Sequence, residues 1–337
     1  MTAFNPTPFH PRPWLANGHI QTIAGNFLKR VDNLPPYTAE LIEVAPATHT
    51  QVSSQVLCHC HWHPESVRAK RLTVIVLHGL EGSSASQYVT GNANKMWNAG
   101  FNVVRMNMRN CGGTDSLSPT LYHSGLSADI AAVMNAMAER FGVTRFALCG
   151  YSMGGNLVLK LAGELGSSEP RLVAVTSVSP ALDLGASAAA LHEPINRLYE
   201  LRFLRGLARR FRRKAMLFPT LYDPARAEGL RSLIEFDDRI TAFYSGFSSA
   251  ADYYHRAAAA RVLSSIAVPT LILHALDDPF VRLTDESRAE IHANPHITLI
   301  ETKHGGHCAF LAKAIQTENE DVYWAETTLL RFLKAQS

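Results

Sequence analysis

A serine, an aspartate and a histidine occur in this 337-residue sequence in an order that could support nucleophilic catalysis. Ser152 is the central residue of Gly-Tyr-Ser-Met-Gly, which follows an apolar run and precedes a segment that favours a helix. Gly150 and Gly154 would let the chain turn sharply from strand to helix and leave the serine hydroxyl exposed at the end of a sheet. The pattern predicts a nucleophilic serine; the alternative is a chance glycine-rich turn.

A serine hydroxyl is a weak nucleophile, so it needs a general base that is held in place by a carboxylate. The candidate carboxylates are Asp277 and Asp278, which directly follow the apolar run at 270–275. A small residue three positions before the acid is usual in such a turn, and Ala275 therefore favours Asp278. Asp277 would then cap the turn.

The general base is expected among the histidines that follow the last predicted strand, in His-Gly-Gly-His. The two glycines before His307 would let the loop curl inward, so His307 is preferred to His304. The resulting chain order of serine, acid and histidine suits a sheet that carries its reactive loops at the carboxyl ends of strands. Structural roles are expected for His192, His255 and His274.

Two backbone amides are candidates for stabilising negative charge on a substrate oxygen. Met153 follows the serine at the expected start of a helix, where its N–H would point into the site. The β-branched run at 72–77 ends in His78 and Gly79, a turn that would swing the N–H of Leu80 toward the same space. The alternative for this second segment is an ordinary glycine-rich loop.

Elements that could position these residues follow from apolar periodicity along the chain. Continuous apolar runs indicate buried parallel strands, and segments with helical spacing alternate with them, which predicts an α/β fold. Strands are predicted at 40–45, 55–62, 72–77, 101–106, 146–149, 172–178, 270–275 and 296–302, the first two of them antiparallel at a sheet edge. Helices are predicted at 86–98, 128–141, from 156 onward, at 284–293 and at 321–335.

The alternation of strands and helices suggests how the chain is divided. Residues 1–36 are rich in proline and aromatic residues and are expected to form an arm. Residues 37–180 and 264–337 would form the α/β core, and residues 181–263, which show helical spacing without a convincing strand, would form an inserted helical cap.

Composition fits a protein with a large core, because 47% of the residues are hydrophobic and only 18% are charged. Five cysteines, an odd number, do not make a disulfide framework and fit a reducing compartment. The sequence shows no apolar run of the length expected for a signal peptide or a membrane span. We therefore expect a cytoplasmic protein; its oligomeric state cannot be read from the sequence.

The basic residues concentrate in the predicted cap, where residues 202–214 carry seven of them and no acid. Helical spacing separates this segment into two faces. The apolar face contains Leu204, Leu207, Ala208, Phe211, Ala215 and Phe218, and the opposite face contains Arg202, Arg205, Arg209 and Arg212. The favoured interpretation is a cap helix with a solvated arginine face; the alternative is peripheral contact with an anionic membrane or an acidic carrier. Nucleic acid is not an expected partner, because no binding motif accompanies the arginines.

A second group of candidate ligands lies on the predicted edge strand, where His59, His61 and His63 alternate with Cys58, Cys60 and Trp62. Histidines at this spacing share one face of a strand and could bind zinc. A solvated polar face opposite a buried one gives the same pattern and is favoured.

Several longer blocks resemble the YheT-like α/β-hydrolases, a group related to the eukaryotic abhydrolase-domain lipases and phospholipases. The blocks are Asn-Gly-His-Ile-Gln-Thr at 17–22, His-Gly-Leu-Glu-Gly-Ser at 78–83, Gly-Tyr-Ser-Met-Gly-Gly-Asn at 150–156, Phe-Asp-Asp-Arg-Ile-Thr-Ala at 236–242, Asp-Asp-Pro-Phe at 277–280 and His-Gly-Gly-His at 304–307. One departure is Arg109-Asn110-Cys111, where the family pattern is Arg-Gly-Cys.

The resemblance implies an α/β-hydrolase fold, a mostly parallel sheet with helices on both faces and an inserted helical cap. It also implies that Ser152, Asp278 and His307 form a catalytic triad, in agreement with the residue-by-residue argument. The expected activity is hydrolysis of carboxylic esters, with lipid or acyl esters as candidate substrates and neither a metal nor an organic cofactor. Transfer of the acyl group to another acceptor, and a non-catalytic binding role, are the alternatives.

Overall fold

Eight strands form a single sheet in the computed structural model, which describes Phe4 and residues 6–48, 52–313 and 321–337. The strands are β1 Thr38–Ala45, β2 Ser54–His61, β3 Thr73–Leu77, β4 Asn102–Met106, β5 Phe146–Tyr151, β6 Leu172–Val178, β7 Thr270–Ala275 and β8 Ile297–Thr302. Their order across the sheet is β1-β2-β4-β3-β5-β6-β7-β8. β2 is antiparallel to β1 and β4, and the strands from β4 to β8 are parallel to one another.

Helices connect these strands and cover the sheet. The α-helices among the described residues are α1 Gly18–Phe27, α2 Glu65–Arg68, α3 Gln87–Asn98, α4 Ser127–Phe141, α5 Met153–Leu165, α6 Leu184–His192, α7 Arg197–Leu217, α8 Leu233–Phe236, α9 Phe243–Ser245, α10 Ala250–Ala257, α11 Asp285–Ala293 and α12 Trp324–Lys334. Short 3-10 helices occupy Pro13–Leu15, Pro194–Asn196, Pro224–Ala227 and Ala259–Ser265, and a π-helix spans Asp237–Ala242. Within the described ranges, no helix combines the length and the apolar composition needed to cross a bilayer.

Both faces of the sheet are buried under helices, which explains why its central strands are mostly apolar. The side chains of α3 and α12 form one hydrophobic cluster with one face, and those of α4, α5 and α11 form another with the opposite face. All five residues of β3 and all six of β5 are buried. The prediction of a mostly parallel sheet with helices on both faces is confirmed.

The predicted elements correspond closely to the observed ones. Each of the eight predicted strands is present, and the four helices predicted with both bounds begin and end within three residues of those bounds. The helix predicted from residue 156 onward begins earlier, at Met153, because the chain turns within the single residue Ser152.

The segment between β6 and β7 is helical and builds a small hydrophobic cluster of its own. Its helices α6 to α10 contribute buried side chains that include Leu204, Phe211, Phe236 and Tyr253. The boundaries drawn for arm, core and cap stay predictions. Residues 1–3 and 5 of the predicted arm, and 49–51 and 314–320 of the predicted core, lie outside the described residues.

The N-terminal segment contains a helix that the sequence analysis did not predict. α1 starts after Asn17, whose side chain accepts hydrogen bonds from the backbone N–H groups of His19 and Ile20. Asparagine is one of the preferred residues at this position, so the start was readable from the sequence. The spacing of apolar residues did not indicate this helix, because two of its apolar side chains, Ile20 and Ile23, are exposed and do not belong to one buried face.

The three alternating histidines of β2 and the residues after it do not form the solvated face that was favoured. His61 is buried, its Nδ1 lies 3.0 Å from the backbone oxygen of Pro35, and burial lowers its pKa to about 4. His59 stacks on Tyr37 and His63 stacks on Trp97. The described residues contain no group of three or more His, Cys, Asp and Glu side chains that could hold a metal ion.

Candidate active site

Ser152 lies on a tight turn between β5 and α5, as its glycine neighbours predict. Its backbone has φ 54° and ψ −118°, a conformation that an L-residue rarely adopts. A Cβ on Gly150 would lie 2.2 Å from the backbone oxygen of Gly154, and a Cβ on Gly154 would lie 2.4 Å from the backbone oxygen of His78. Both positions therefore require glycine, because a side chain on Gly150 would force the turn apart and one on Gly154 would push α5 away from the end of β3.

The structure brings the predicted serine, histidine and aspartate together in one chain of hydrogen bonds. Nε2 of His307 lies 2.9 Å from Oγ of Ser152, and Nδ1 of His307 lies 2.8 Å from Oδ2 of Asp278. The other carboxylate oxygen of Asp278 accepts hydrogen bonds from the N–H groups of Phe280 and Val281. Both oxygens of Asp278 are thus used, and the carboxylate is fixed toward the imidazole.

The neighbouring candidates Asp277 and His304 meet each other instead of the serine. Asp277 Oδ1 accepts a hydrogen bond of 2.9 Å from the N–H of Gly306, and its Oδ2 lies 3.2 Å from Nδ1 of His304. This pair ties the loop before His307 to the end of β7. Asp277 was predicted to cap its own turn, but its carboxylate holds the histidine loop instead.

A further residue that holds His307 was missed by the sequence analysis. Oγ1 of Thr22, on α1, accepts a 2.8 Å hydrogen bond from the N–H of His307 and donates one to the backbone oxygen of Gly18. A Cβ on Gly18 would lie 1.8 Å from the backbone oxygen of Asp277, so α1 packs directly against both reactive loops. The block at 17–22 was recognised as part of the resemblance, but nothing in it indicated which loop it would contact.

Electrostatics favour an ion pair between the acid and the histidine. Burial acts to raise the pKa of Asp278, but the facing His307 imidazolium outweighs it and lowers the pKa below the usual value. Burial acts to lower the pKa of His307, and the Asp278 carboxylate raises it well above 6.5. The positive charge that His307 would acquire on taking a proton is therefore stabilised.

The raised pKa of His307 predicts how the activity falls at low pH. His307 can accept a proton only when it is uncharged, so kcat/KM for a neutral ester should rise with pH through the pKa of His307. Because that pKa is raised, we expect the midpoint above 6.5. A pH–rate profile from about pH 5 to 9 tests this, and a midpoint below the ordinary histidine value would contradict it.

The two predicted amide donors, Leu80 and Met153, border the same cavity as Ser152. Neither N–H donates a hydrogen bond to another group in the described part of the chain. The peptide unit that carries the Leu80 N–H is held by His78, whose Nδ1 lies 2.7 Å from the backbone oxygen of Gly79. Since a peptide unit is planar, fixing this oxygen also fixes the direction of the Leu80 N–H.

His78 can hold this peptide because its tautomer is fixed. Its Nε2 accepts a hydrogen bond of 3.2 Å from the N–H of Met108, so Nδ1 carries the proton that it donates. Burial lowers the pKa of His78 to about 4, which keeps the ring uncharged near neutral pH. Gly79 is needed beside it, because a Cβ there would lie 3.1 Å from Cβ of Ser152.

The cavity next to Ser152 has a volume of about 140 Å³ and mostly apolar walls. Its aromatic lining comes largely from the cap, and includes Phe203, Phe211, Phe236, Tyr253 and Tyr254. Phe280 also lines the cavity, and its ring centroid lies 4.4 Å from that of His307. Such walls suit an apolar group of a substrate and restrict the entry of water.

Two basic residues of α7 that neither predicted face included, Arg210 and Lys214, contact loops at the end of the sheet. Lys214 is buried and donates to the side chain of Asn110 at 2.5 Å and to the backbone oxygen of Asp115 at 2.7 Å. Arg210 forms an ion pair with Glu81, with Nε 2.8 Å from Oε1. These contacts fasten α7 to the loops that follow β3 and β4.

Comparison with known proteins identifies the family of this chain. The profile of a family described as alpha/beta hydrolase fold matches residues 73–314. The chain belongs to the α/β-hydrolase fold family. YheT of Escherichia coli (strain K12), which is named as a proposed esterase, is 31% identical over 306 residues, or 90% of this chain and 87% of YheT. Phospholipase ABHD3 of Mus musculus is 28% identical over 306 residues, or 90% of this chain and 73% of ABHD3.

A solved structure supports the fold of this α/β-hydrolase. The Pyrococcus furiosus esterase Pf2001 superimposes with a TM-score of 0.55 at 17% identity, covering 92% of this chain and 98% of that one. The resemblance to YheT-like α/β-hydrolases is thus confirmed over most of the sequence. The roles of the individual site residues rest on the geometry given above.

Proposed function

We propose that this α/β-hydrolase cleaves carboxylic esters through an acyl-Ser152 intermediate. The class of carboxylic ester hydrolase is supported by its relatives, which include the proposed esterase YheT and phospholipase ABHD3. The observation that carries the residue assignment is the continuous chain of hydrogen bonds from Ser152 through His307 to Asp278. No side chain among these three has to move before an uncharged His307 can take the proton of Ser152.

The first half of the reaction forms the acyl-enzyme. His307 Nε2 takes the proton of the Ser152 hydroxyl while Oγ attacks the ester carbonyl carbon, and the carbonyl electron pair moves onto oxygen. The amides of Leu80 and Met153 donate to that oxyanion. When the oxyanion collapses, the bond to the alcohol oxygen breaks, and His307 delivers its proton to the departing alcohol.

The second half repeats these steps with water. His307 Nε2 takes a proton from a water molecule, the resulting hydroxide attacks the acyl carbon, and the second tetrahedral intermediate collapses. The bond to Ser152 Oγ breaks, His307 returns the proton to this oxygen, and a carboxylic acid leaves. Asp278 stays ionised throughout and stabilises the imidazolium that forms twice.

A fluorophosphonate probe tests the proposed nucleophile directly, because such probes phosphonylate only activated serines. We expect labelling of Ser152, identified on its tryptic peptide, and its loss in Ser152→Ala. Ser168→Ala is the matched control, since Ser168 is an exposed serine away from the cavity, and it should label like wild type. A folded wild-type protein that labels elsewhere, or not at all, would refute the proposal.

We further propose that the outer face of α7 makes peripheral contact with an anionic membrane. Exposed side chains recur along this face, with Leu198 and Met216 near its ends. Between them lie Arg202, Arg205, Arg209 and Arg212. No acidic side chain forms an ion pair with Arg202, Arg205 or Arg209 in the described part of the chain. An unpaired cationic row flanked by apolar side chains suits anionic headgroups over a bilayer surface.

Vesicle co-sedimentation tests this contact. Replacing Arg205, Arg209 and Arg212 by glutamine should lower the affinity for phosphatidylglycerol vesicles about 100-fold, at roughly 1 kcal/mol for each basic residue near the surface. The matched control changes Lys70, Lys303 and Lys334, three exposed lysines elsewhere, and should bind as wild type does. Equal wild-type binding to anionic and to phosphatidylcholine vesicles would argue against an anionic partner and leave the arginines as a solvated face.

A further inference from the structure

The apolar cavity next to Ser152 contains polar side chains that the proposed reaction does not use. Ser187, on α6, and Asp237, the first residue of the π-helix, both line it. The helices that carry them pack against the same helix, α10. π-helical segments are often found at functional sites, since they place a side chain where a regular helix could not.

Ser187 has a hydroxyl with no partner. The residue is 6% exposed, and its Oγ makes no hydrogen bond to any described residue. Buried hydroxyls are almost always hydrogen-bonded, because otherwise they lose the bonds that they make in water. A ligand group in the cavity would supply the missing partner.

Asp237 has a carboxylate whose acceptor capacity is only partly used. Oδ1 accepts a 2.7 Å hydrogen bond from the Thr241 hydroxyl, and Oδ2 accepts one of 2.8 Å from the Tyr254 hydroxyl. No Lys, Arg or His side chain of the described ranges pairs with it. A carboxylate can accept about four hydrogen bonds, so Asp237 can accept from a ligand as well.

The charges around the cavity indicate which donor is suited to Asp237. The lining also contains the cationic side chains of Arg210 and Lys214, but Arg210 forms an ion pair with Glu81, and Lys214 is held by oxygens of residues 110, 115 and 118. A cationic ligand group would have to give up its hydration among the mostly apolar walls, whereas an uncharged hydroxyl gives up much less. A hydroxyl can also donate to Asp237 and accept from Ser187, which matches what each residue lacks.

We propose that Ser187 and Asp237 form a hydrogen-bonding subsite for a free hydroxyl of the ester substrate. This subsite deepens the proposed function and rests on it, since it selects among esters that Ser152 would cleave. Esters that carry a free hydroxyl are then better substrates than alkyl esters of the same size. The hydroxyl could be carried by the alcohol or by the acyl part, and the two cases are distinguished below.

Four esters of similar size test the proposal by their kcat/KM values: 1-monobutyrin, propyl butyrate, propyl 4-hydroxybutyrate and butyrylcholine. We expect one hydroxylated ester to exceed propyl butyrate by about 10-fold or more, the effect of one or two well-placed hydrogen bonds. Preference for 1-monobutyrin assigns the subsite to the alcohol part, and preference for propyl 4-hydroxybutyrate assigns it to the acyl part. Equal values for both hydroxylated esters and propyl butyrate, or a preference for butyrylcholine, would overturn the proposal.

Variants of Ser187 and Asp237 test whether these residues recognise the substrate hydroxyl or only support the fold. Ser187→Ala and Asp237→Asn should each lower kcat/KM for the preferred hydroxylated ester about 10-fold while leaving propyl butyrate within about 2-fold. Thr327→Val is the matched control, because Thr327 also has a buried, unpartnered hydroxyl but lies on α12, outside the cavity. If both Ser187→Ala and Asp237→Asn lower all esters equally, the residues are structural and the subsite is refuted.

A binding measurement distinguishes failure of the subsite from failure of the proposed catalysis. In Ser152→Ala, which cannot form an acyl-enzyme, the preferred hydroxylated ester should raise the melting temperature more than propyl butyrate does, and Ser187→Ala in that background should remove the difference. Intact fluorophosphonate labelling of wild type with no such difference refutes the subsite alone. Absent labelling of wild type with the difference present refutes the catalysis but supports the subsite.

Discussion

Replacing Ser152 with alanine is expected to lower kcat for ester hydrolysis about 10⁴-fold or more, the loss typical of removing the nucleophile of such a triad. The change removes one oxygen, and both hydrogen bonds of His307 to Asp278 and Thr22 remain available. Ester turnover measured at saturating substrate gives the loss, and an unchanged circular dichroism spectrum shows that the fold persists. A variant that retains more than about a tenth of wild-type kcat would show that another group attacks the ester.

The same position offers a test of the turn itself. Ser152 has φ 54° and ψ −118°, which alanine must also adopt and which glycine adopts without strain. Strain of this kind costs about 1–3 kcal/mol, so Ser152→Gly should be more stable than Ser152→Ala although both are inactive. Urea unfolding of the two variants measures the difference, and a more stable alanine variant would mean that the turn is relaxed.

The sequence predicted which residues meet at the candidate site, because the proposed chemistry and the backbone impose the same local pattern. Gly150 is required by a contact within its own turn, with the backbone of Gly154, so the reason for this glycine is visible within five residues. Gly154 is required by its contact with His78, but it belongs to the same short motif. Ala275 predicted the choice of Asp278 in a similar way, since a turn bond from the N–H of Asp278 to the Ala275 oxygen sets which side chain faces inward. Residues that are required by short-range backbone contacts of this kind can be predicted from the sequence.

Residues that act across the fold leave no such signal. Thr22 contacts His307 from 285 positions away, and its helix shows exposed apolar residues instead of a clear inward face. Lys214 was assigned to neither predicted face of its helix, and nothing in the sequence indicated that its ammonium group is held by oxygens of residues 110, 115 and 118. Periodicity separates the faces of a helix, but it does not tell which buried position meets a carbonyl group of another segment.

His61 shows that the alternation of residues along a strand also leaves the contacts of a buried side chain unpredicted. Alternation placed it correctly on the face opposite Cys58 and Cys60, but that face is covered by the segment containing Pro35 and Tyr37. Whether an edge strand has one buried face or two depends on what packs over it, and the covering segment has little regular structure to predict.

The choice between the adjacent carboxylates yields the second large prediction: Asp278→Asn should lower kcat about 10⁴-fold, whereas Asp277→Asn should lower it about 10-fold or less. In Asp278→Asn, the side-chain oxygen can keep the hydrogen bonds from Phe280 and Val281. The new NH₂ group then faces Nδ1 of His307, which must accept from it and so lose its proton. The remaining proton moves to Nε2, the atom that has to take the proton of Ser152, and general-base catalysis is blocked.

Asp277→Asn leaves that tautomer untouched. The asparagine oxygen can still accept from the N–H of Gly306, so the histidine loop keeps its main anchor and loses only the charge facing His304. Two readouts separate the variants: kcat, and the rate of fluorophosphonate labelling, which depends on the same deprotonation of Ser152. The Asp278 variant should be slow in both and the Asp277 variant near wild type in both; equal losses would mean that the two carboxylates share the role of orienting His307.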